Sequence, residues 1–194
     1  MIKQTERSAA TIEAILAAAR SLFGKDGFEA TSIDAIAAAA GVAKGAVYHH
    51  FASKEDIFTR VLDRIQAELA AAPPPPAALR AKDPFDAMAA GVEAYLTAAM
   101  APGVKQILLI DGPVVIGWLK WREIDDRHFS AGTRRVLEIA LAGTDAAKDI
   151  DAVMRLLMGA VMEAALACAN APDPAATARR MSRALRRMLG GLRE

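Results

Sequence analysis

"TSIDAIAAAAGVAKGAVYHHFASKEDIF", Thr31 to Phe58, holds two short apolar segments joined through a glycine and closed by a cluster of polar aromatics. Thr31-Ser32-Ile33-Asp34 has the pattern of a capping box, which predicts a helix from there to about Ala40. Gly41 stands where a left-handed residue ends a helix. Val42 follows, and a second short helix is predicted from about Ala43 to His49. Ser53-Lys54-Glu55-Asp56 repeats the box and opens a longer helix bearing Ile57, Phe58, Val61, Leu62 and Ile65. Two short helices about a glycine turn, behind a supporting helix, are the helix-turn-helix arrangement, whose second helix enters the major groove of double-stranded DNA. Gly45 and Ala46 leave that helix slim enough for its backbone to approach the groove wall. Val42, Val47 and Phe51 are expected to point inward with Ile33, Ile36 and Ala37, and Lys44, Tyr48 and His49 outward. Two capped helices around a glycine also occur in helical proteins that bind no DNA, so spacing alone leaves both readings open.

Around this core the chain reads as helix throughout. Ile12, Ile15, Leu16, Ala19, Leu22 and Phe23 recur at helical spacing over Thr5 to Phe23, with Gly24 as the expected C-cap and Gly27 as a turn. Pro73 to Pro76 cannot continue a helix and marks a boundary between two halves. Asp83-Pro84 starts a helix carrying Phe85, Met88, Val92, Tyr95, Leu96 and Met100 on one stripe, and Pro102-Gly103 stops it. A short helix is expected over Val104 to Asp111, interrupted at Gly112-Pro113, with helices over Pro113 to about Ile124 and Asp126 to Ala142, then a long apolar one over Asp149 to Asn170. The last helix starts at Asp173-Pro174 and ends near Gly190-Gly191.

The chain has 194 residues, 54% of them hydrophobic and 24% charged, which suits a folded chain with real cores rather than a disordered one. Net charge is +1, so any nucleic-acid site depends on where charge is placed. The single cysteine, Cys168, permits no intrachain disulfide and suits a reducing cytoplasm. The opening Met1-Ile2-Lys3-Gln4 reads as polar, without a signal peptide. No apolar run is expected to reach membrane-spanning length, because Val104 to Leu119 is broken by Lys105, Gln106, Asp111 and Pro113.

The residues of the quoted stretch resemble the DNA-binding domain of tetracycline-repressor-type (TetR family) transcriptional regulators. The resemblance covers about residues 8 to 62 and rests on Leu22-Phe23, Gly27, Thr31, Ala40-Gly41-Val42, Lys44-Gly45, Tyr48, His50-Phe51 and Ser53-Lys54. It implies phosphate or base contacts by Thr31, Lys44, Gly45, Ala46, Tyr48, His49, His50 and Lys54. Ala43 and Ala46 depart from the hydroxyl residues frequent in the family, which shifts base readout toward Lys44, His49 and van der Waals contact. "QILLIDGPVVIGWLKWREID", Gln106 to Asp125, resembles a stretch in the C-terminal domains of one subset of the same family.

That second half reads as an effector and dimer domain. Trp118 and Trp121 lie three apart, with Asp111 and Arg122 near, and an apolar enclosure with a few polar groups suits a small hydrophobic or amphipathic molecule. Met88, Tyr95 and Met158 complete the candidate pocket set, although tryptophans and methionines so placed are more often plain core or interface packing. Val153, Leu157, Val161, Met181 and Leu185 are candidates for a helix bundle formed by two copies of the chain, the alternative being burial within one subunit. Glu123, Asp125, Asp126 and His128 lack metal-ligand spacing and read as a solvated helix junction. Arg179, Arg180, Arg183, Arg186 and Arg187 read as a solvated outer face. The expectation is therefore an all-α protein of about nine to ten helices. It divides into a helix-turn-helix domain (1–52), a connecting helix and Pro-rich linker (53–76), and an effector-binding and dimerisation domain (77–194). It acts as a ligand-responsive regulator, a homodimeric repressor on a palindromic operator, with no cofactor, metal, membrane or catalytic residue. The alternatives are an effector-independent architectural DNA-binding protein and a helical enzyme using Asp111, Glu123 and His128.

Overall fold

The computed structural model describes residues 2–193; Met1, Glu194 and the side chains of residues 2–5 lie outside it, and with them the reading of the polar opening. The described residues form helices and no strand: α1 (Ile2–Ala30), α2 (Ile33–Ala40), α3 (Lys44–His50), α4 (Lys54–Ala71), α5 (Pro76–Arg80), α6 (Pro84–Ala99), a π-helical segment (Gln106–Asp111), α7 (Gly112–Val115), α8 (Trp118–Ala140), α9 (Ile150–Ala169) and α10 (Pro174–Gly190).

The caps follow local chemistry. Ser32 Oγ accepts the Ala35 N–H at 3.1 Å and Gly41 closes α2 at φ 68°. Ser53 Oγ accepts the Asp56 N–H at 3.1 Å, while the Asp56 carboxylate reaches back to the Ala52 N–H at 3.1 Å. Asp83 and Asp173 cap α6 and α10 through Phe85 and Ala176. Ala43 precedes α3 without a side-chain cap, the expected consequence of its missing hydroxyl.

Three expectations change. Helix α1 runs past Gly24, and the left-handed residue is Gly27, at φ 81°. Gly24 is small for another reason: a Cβ there would stand 2.7 Å from the Gly103 Cα. The break expected at Asp125-Asp126 lies instead at Gly117, φ 78°, and α8 is continuous. The span 145–169 is long and apolar enough to cross a membrane by length and composition, against the expectation. Its α9 portion buries Met154, Leu157, Met158, Met162, Ala165 and Cys168, as a core helix does.

The chain divides into two compact units, 1–67 with 102–122, and 68–101 with 123–194. The proline run expected at the division lies within the second unit, and the boundaries fall inside α4, before Pro102 and inside α8. In the first unit, Phe23, Phe28 and Phe58 form a mutual cluster with ring centroids 5.2–5.7 Å apart. Burial of such a ring is worth about 1.5–3 kcal/mol, enough to hold α4 against the end of α1. In the second unit, Phe85, Leu137, Leu141, Met154, Leu157, Leu185 and Leu189 make one core from α6, α8, α9 and α10 with the residue that follows α8. Asp83 is gripped above it by Arg193 through two bonds, at 2.7 and 3.0 Å, and by Arg186 at 3.1 Å.

Candidate nucleic-acid interface

Helix α3 buries Val47 and leaves Lys44, Gly45, Tyr48 and His49 exposed, with Ala46 and His50 partly covered. A Cβ on Gly45 would meet nothing within 4 Å, so its slimness serves approach from outside. Tyr48 is 53% exposed, and the His49 and His50 rings meet edge-on at 4.8 Å at the helix end. Lys44 Nζ donates to Asp34 Oδ2 at 2.9 Å, across from α3 to the first turn of α2. That bond, with the charge of Asp34, raises the Lys44 pKa above the ordinary lysine value, and Tyr48 adds to the effect. Asp34, read from the sequence only as capping chemistry, thus belongs to the exposed surface; no spacing rule links positions 34 and 44.

Two expected DNA contacts are engaged inside the protein. Thr31 is 3% exposed, and its hydroxyl donates to the Gly27 carbonyl at 2.7 Å, which leaves it no donor for a phosphate. Lys54 Nζ donates to the carbonyls of Phe28 at 2.8 Å and Thr31 at 2.9 Å, and lies 4.1 Å from the centre of the Phe28 ring. Both side chains therefore fasten the α1–α2 turn. The reason is the turn itself: it ends α1 with carbonyls that need donors, and Lys54 opens the helix next to them.

The same turn is held from the other side. Asp111 accepts the Phe28 N–H at 2.9 Å through Oδ2 and the Gln106 side-chain amide at 3.0 Å through Oδ1. Gly27 supplies the positive φ of 81° that this turn needs, and a Cβ there would be in ordinary contact with Gln106 and Asp111. Gly112 is fully enclosed; a Cβ would lie 2.8 Å from Trp121 and 2.9 Å from Leu62. Trp121, 1% exposed, donates its indole N–H to the Leu108 carbonyl at 2.9 Å, and Trp118, 48% exposed, stacks on it with ring planes 8° apart.

Residues 85–192 match the family model of the tetracyclin repressor-like C-terminal domain, and residues 15–61 match that of bacterial regulatory proteins, tetR family. The chain belongs to the TetR family. A crystal structure of a TetR-family transcriptional regulator from Pectobacterium atrosepticum is 29% identical, with 96% of each chain covered and a TM-score of 0.76. The HTH-type transcriptional regulator AcrR of Shigella flexneri is 37% identical over 70 residues, 36% of this chain and 33% of that one. The HTH-type transcriptional repressor BepR of Brucella suis is 42% identical over 64 residues, 32% of this chain and 31% of that one. The match spans about a third of the length of these two relatives.

In this TetR-family chain the residues expected to line an effector pocket are divided. Asp111, Trp118, Trp121 and Arg122 belong to the first unit, and Met88, Tyr95 and Met158 to the second. Asp111 accepts from the Phe28 backbone N–H and the Gln106 amide. Tyr95 packs edge-on against Phe129 at 5.3 Å, and burial together with the Asp125 charge pushes its phenol far above the ordinary value. Asp125 itself is buried in α8, which corrects the reading of residues 123–128 as a solvated junction. Met88 packs against the second unit's core and Met158 is buried. Among the dimer candidates, Leu157 (4% exposed) and Leu185 are spent in that core, and Val153 and Val161 are packed against it, while Met181 is partly buried. The large apolar side chains left outward in the second unit include Leu79, Ile139, Leu156 (75% exposed) and Met188; on α9, a pattern that is apolar nearly all round cannot single out Leu156.

Proposed function

We propose that this chain is a cytoplasmic DNA-binding transcriptional regulator. It acts as a homodimeric repressor on a palindromic operator and is released by a small hydrophobic or amphipathic effector. The observation that carries the reading is the open face of α3, where Lys44, Tyr48 and His49 flank an unobstructed Gly45, next to a well-capped α2. The outward Leu156 on α9 and Met188 on α10 support self-association of these helices, which would set two recognition helices about one DNA turn apart, roughly 34–36 Å.

Release is read through the segment 102–122, because it joins α6 to α8 and carries Asp111. A π-helix closes its hydrogen bonds over one residue more than an α-helix and often marks a functional position. Displacement of α6 or α8 by an effector pulls on both ends of this segment, and Asp111 conveys the strain to the Phe28 amide beneath the helix-turn-helix. The enzyme reading loses support, because the relatives matched are transcriptional regulators and Asp111 is hydrogen-bonded to a backbone amide.

Selection of duplexes from a library with a randomised centre tests the DNA reading. An enriched inverted repeat is the expected result, and a pool indistinguishable from the starting library overturns it.

A further inference from the structure

Lys44 and Asp34 are the only formally charged residues on α2 and α3 when histidine is neutral, and they are bonded to each other. Both side chains are exposed, so the core does not require the pair. An acid on a surface that meets a polyanion is repulsive and calls for a reason. Non-specific affinity for DNA comes from cations that neutralise phosphates. With the pair closed, the two helices offer almost no net charge to phosphates. Lysine also recognises the O6 and N7 acceptors of guanine, and a carboxylate accepts from the N4 amine of cytosine. One G·C pair in the major groove therefore offers each member of the ion pair a replacement partner, whereas a phosphate suits only Lys44 and repels Asp34.

We propose that Asp34 is a specificity residue: it withholds the Lys44 ammonium from the phosphates of arbitrary DNA and releases it where a G·C edge replaces both halves of the pair. The inference rests on the DNA-binding reading above. On arbitrary DNA Asp34 acts chiefly by holding Lys44, so most of its effect on such DNA must be lost when Lys44 is absent.

The experiment uses the full chain and two fluorescent duplexes of equal length, one enriched by the wild type and one of mixed sequence. Wild type, Asp34→Asn, Lys44→Ala and the double variant are titrated at several salt concentrations. Asp34→Asn is expected to bind the mixed duplex about two- to fivefold more tightly, the factor an exposed ion pair is worth. Its log–log salt slope should steepen by about 0.9 per protomer. The enriched duplex should gain less, so the ratio of the two affinities falls. In the Lys44→Ala background the same substitution should give the mixed duplex a clearly smaller gain, the part due to bare repulsion between Asp34 and phosphate. Asp34→Glu, which restores the charge, should return mixed-duplex affinity toward the wild type and keeps the test open should the amide variant fold poorly. A gain of undiminished size without Lys44 makes Asp34 a plain repelling charge and overturns the proposal, as does an unchanged ratio in Asp34→Asn. If the wild type enriches no duplex, the DNA-binding reading itself fails before any variant is compared.

Discussion

Lys54 carries a positive charge that resemblance assigns to phosphate, yet two of its bonds go to the Phe28 and Thr31 carbonyls. Lys54→Met keeps the stem and removes the clamp. It is expected to weaken binding to the enriched duplex while leaving the salt slope at the wild-type value. A slope lower by about one unit would return Lys54 to the phosphate contacts. The family pattern makes the residue type legible; the direction of its ammonium depends on carbonyls left by a turn 23 residues earlier, which no local rule records. Asp83 offers a second test at this scale. The Arg193 bonds, then the Phe85 N–H, hold its carboxyl below the ordinary carboxylate value. A carboxylate lowered on folding stabilises the fold above its unfolded pKa, about 3.9, and loses that contribution as pH falls through the folded value. Arg193→Met should therefore lower the thermal midpoint at neutral pH. The gap to the wild type should close as pH drops from about 4 toward 2, as followed by far-UV circular dichroism.

Helix α9 places two leucines side by side with opposite fates. Leu157→Ala should cost about 2–5 kcal/mol in denaturant unfolding, because it empties part of the core around Phe85 and Leu185. Leu156→Arg should change monomer stability by no more than about 0.5 kcal/mol and yet shift sedimentation toward monomers. A dimer that survives Leu156→Arg removes this helix face from the interface. The length of α9 was legible, since its apolar run and the Asp173-Pro174 start that follows it are local signals. Its orientation was not, because alanine, leucine and methionine surround most of its circumference. The same contrast holds for the glycines. Gly41 was legible from its cap position, whereas Gly24 answers to Gly103, 79 residues away, and Gly112 to Trp121 and Leu62. Asp111 was read as an effector group because its partner, the Phe28 amide, lies 83 residues earlier. Asp111→Ala should speed hydrogen exchange at that amide and lower DNA affinity together; retained protection at Phe28 would uncouple the segment from the helix-turn-helix.

At the scale of the whole molecule, Trp118 and Trp121 both lie in the segment returned to the first unit, so their fluorescence reports on the DNA-binding side. An effector is expected to change that fluorescence saturably over the concentration range in which it releases the enriched duplex. Linkage requires the duplex to weaken effector binding by the same factor, typically about 5–150-fold. Release of DNA with unequal factors would point to competition at a shared surface. The discontinuous first unit has a consequence for heredity as well. A gene fragment ending at Ala67 does not encode it, because Ile107, Leu108 and Trp121 arrive only after the chain has left and come back. Recombination between relatives at a single crossover in the proline run would join one parent's recognition head to the other parent's return segment. Such a hybrid has to match at a seam where Gly24 and Gly103 touch backbone to backbone, and a parent carrying any side chain at either position makes a poor donor. Exchange of DNA targets within this lineage is thus easier by substitution on α2 and α3 than by shuffling whole heads.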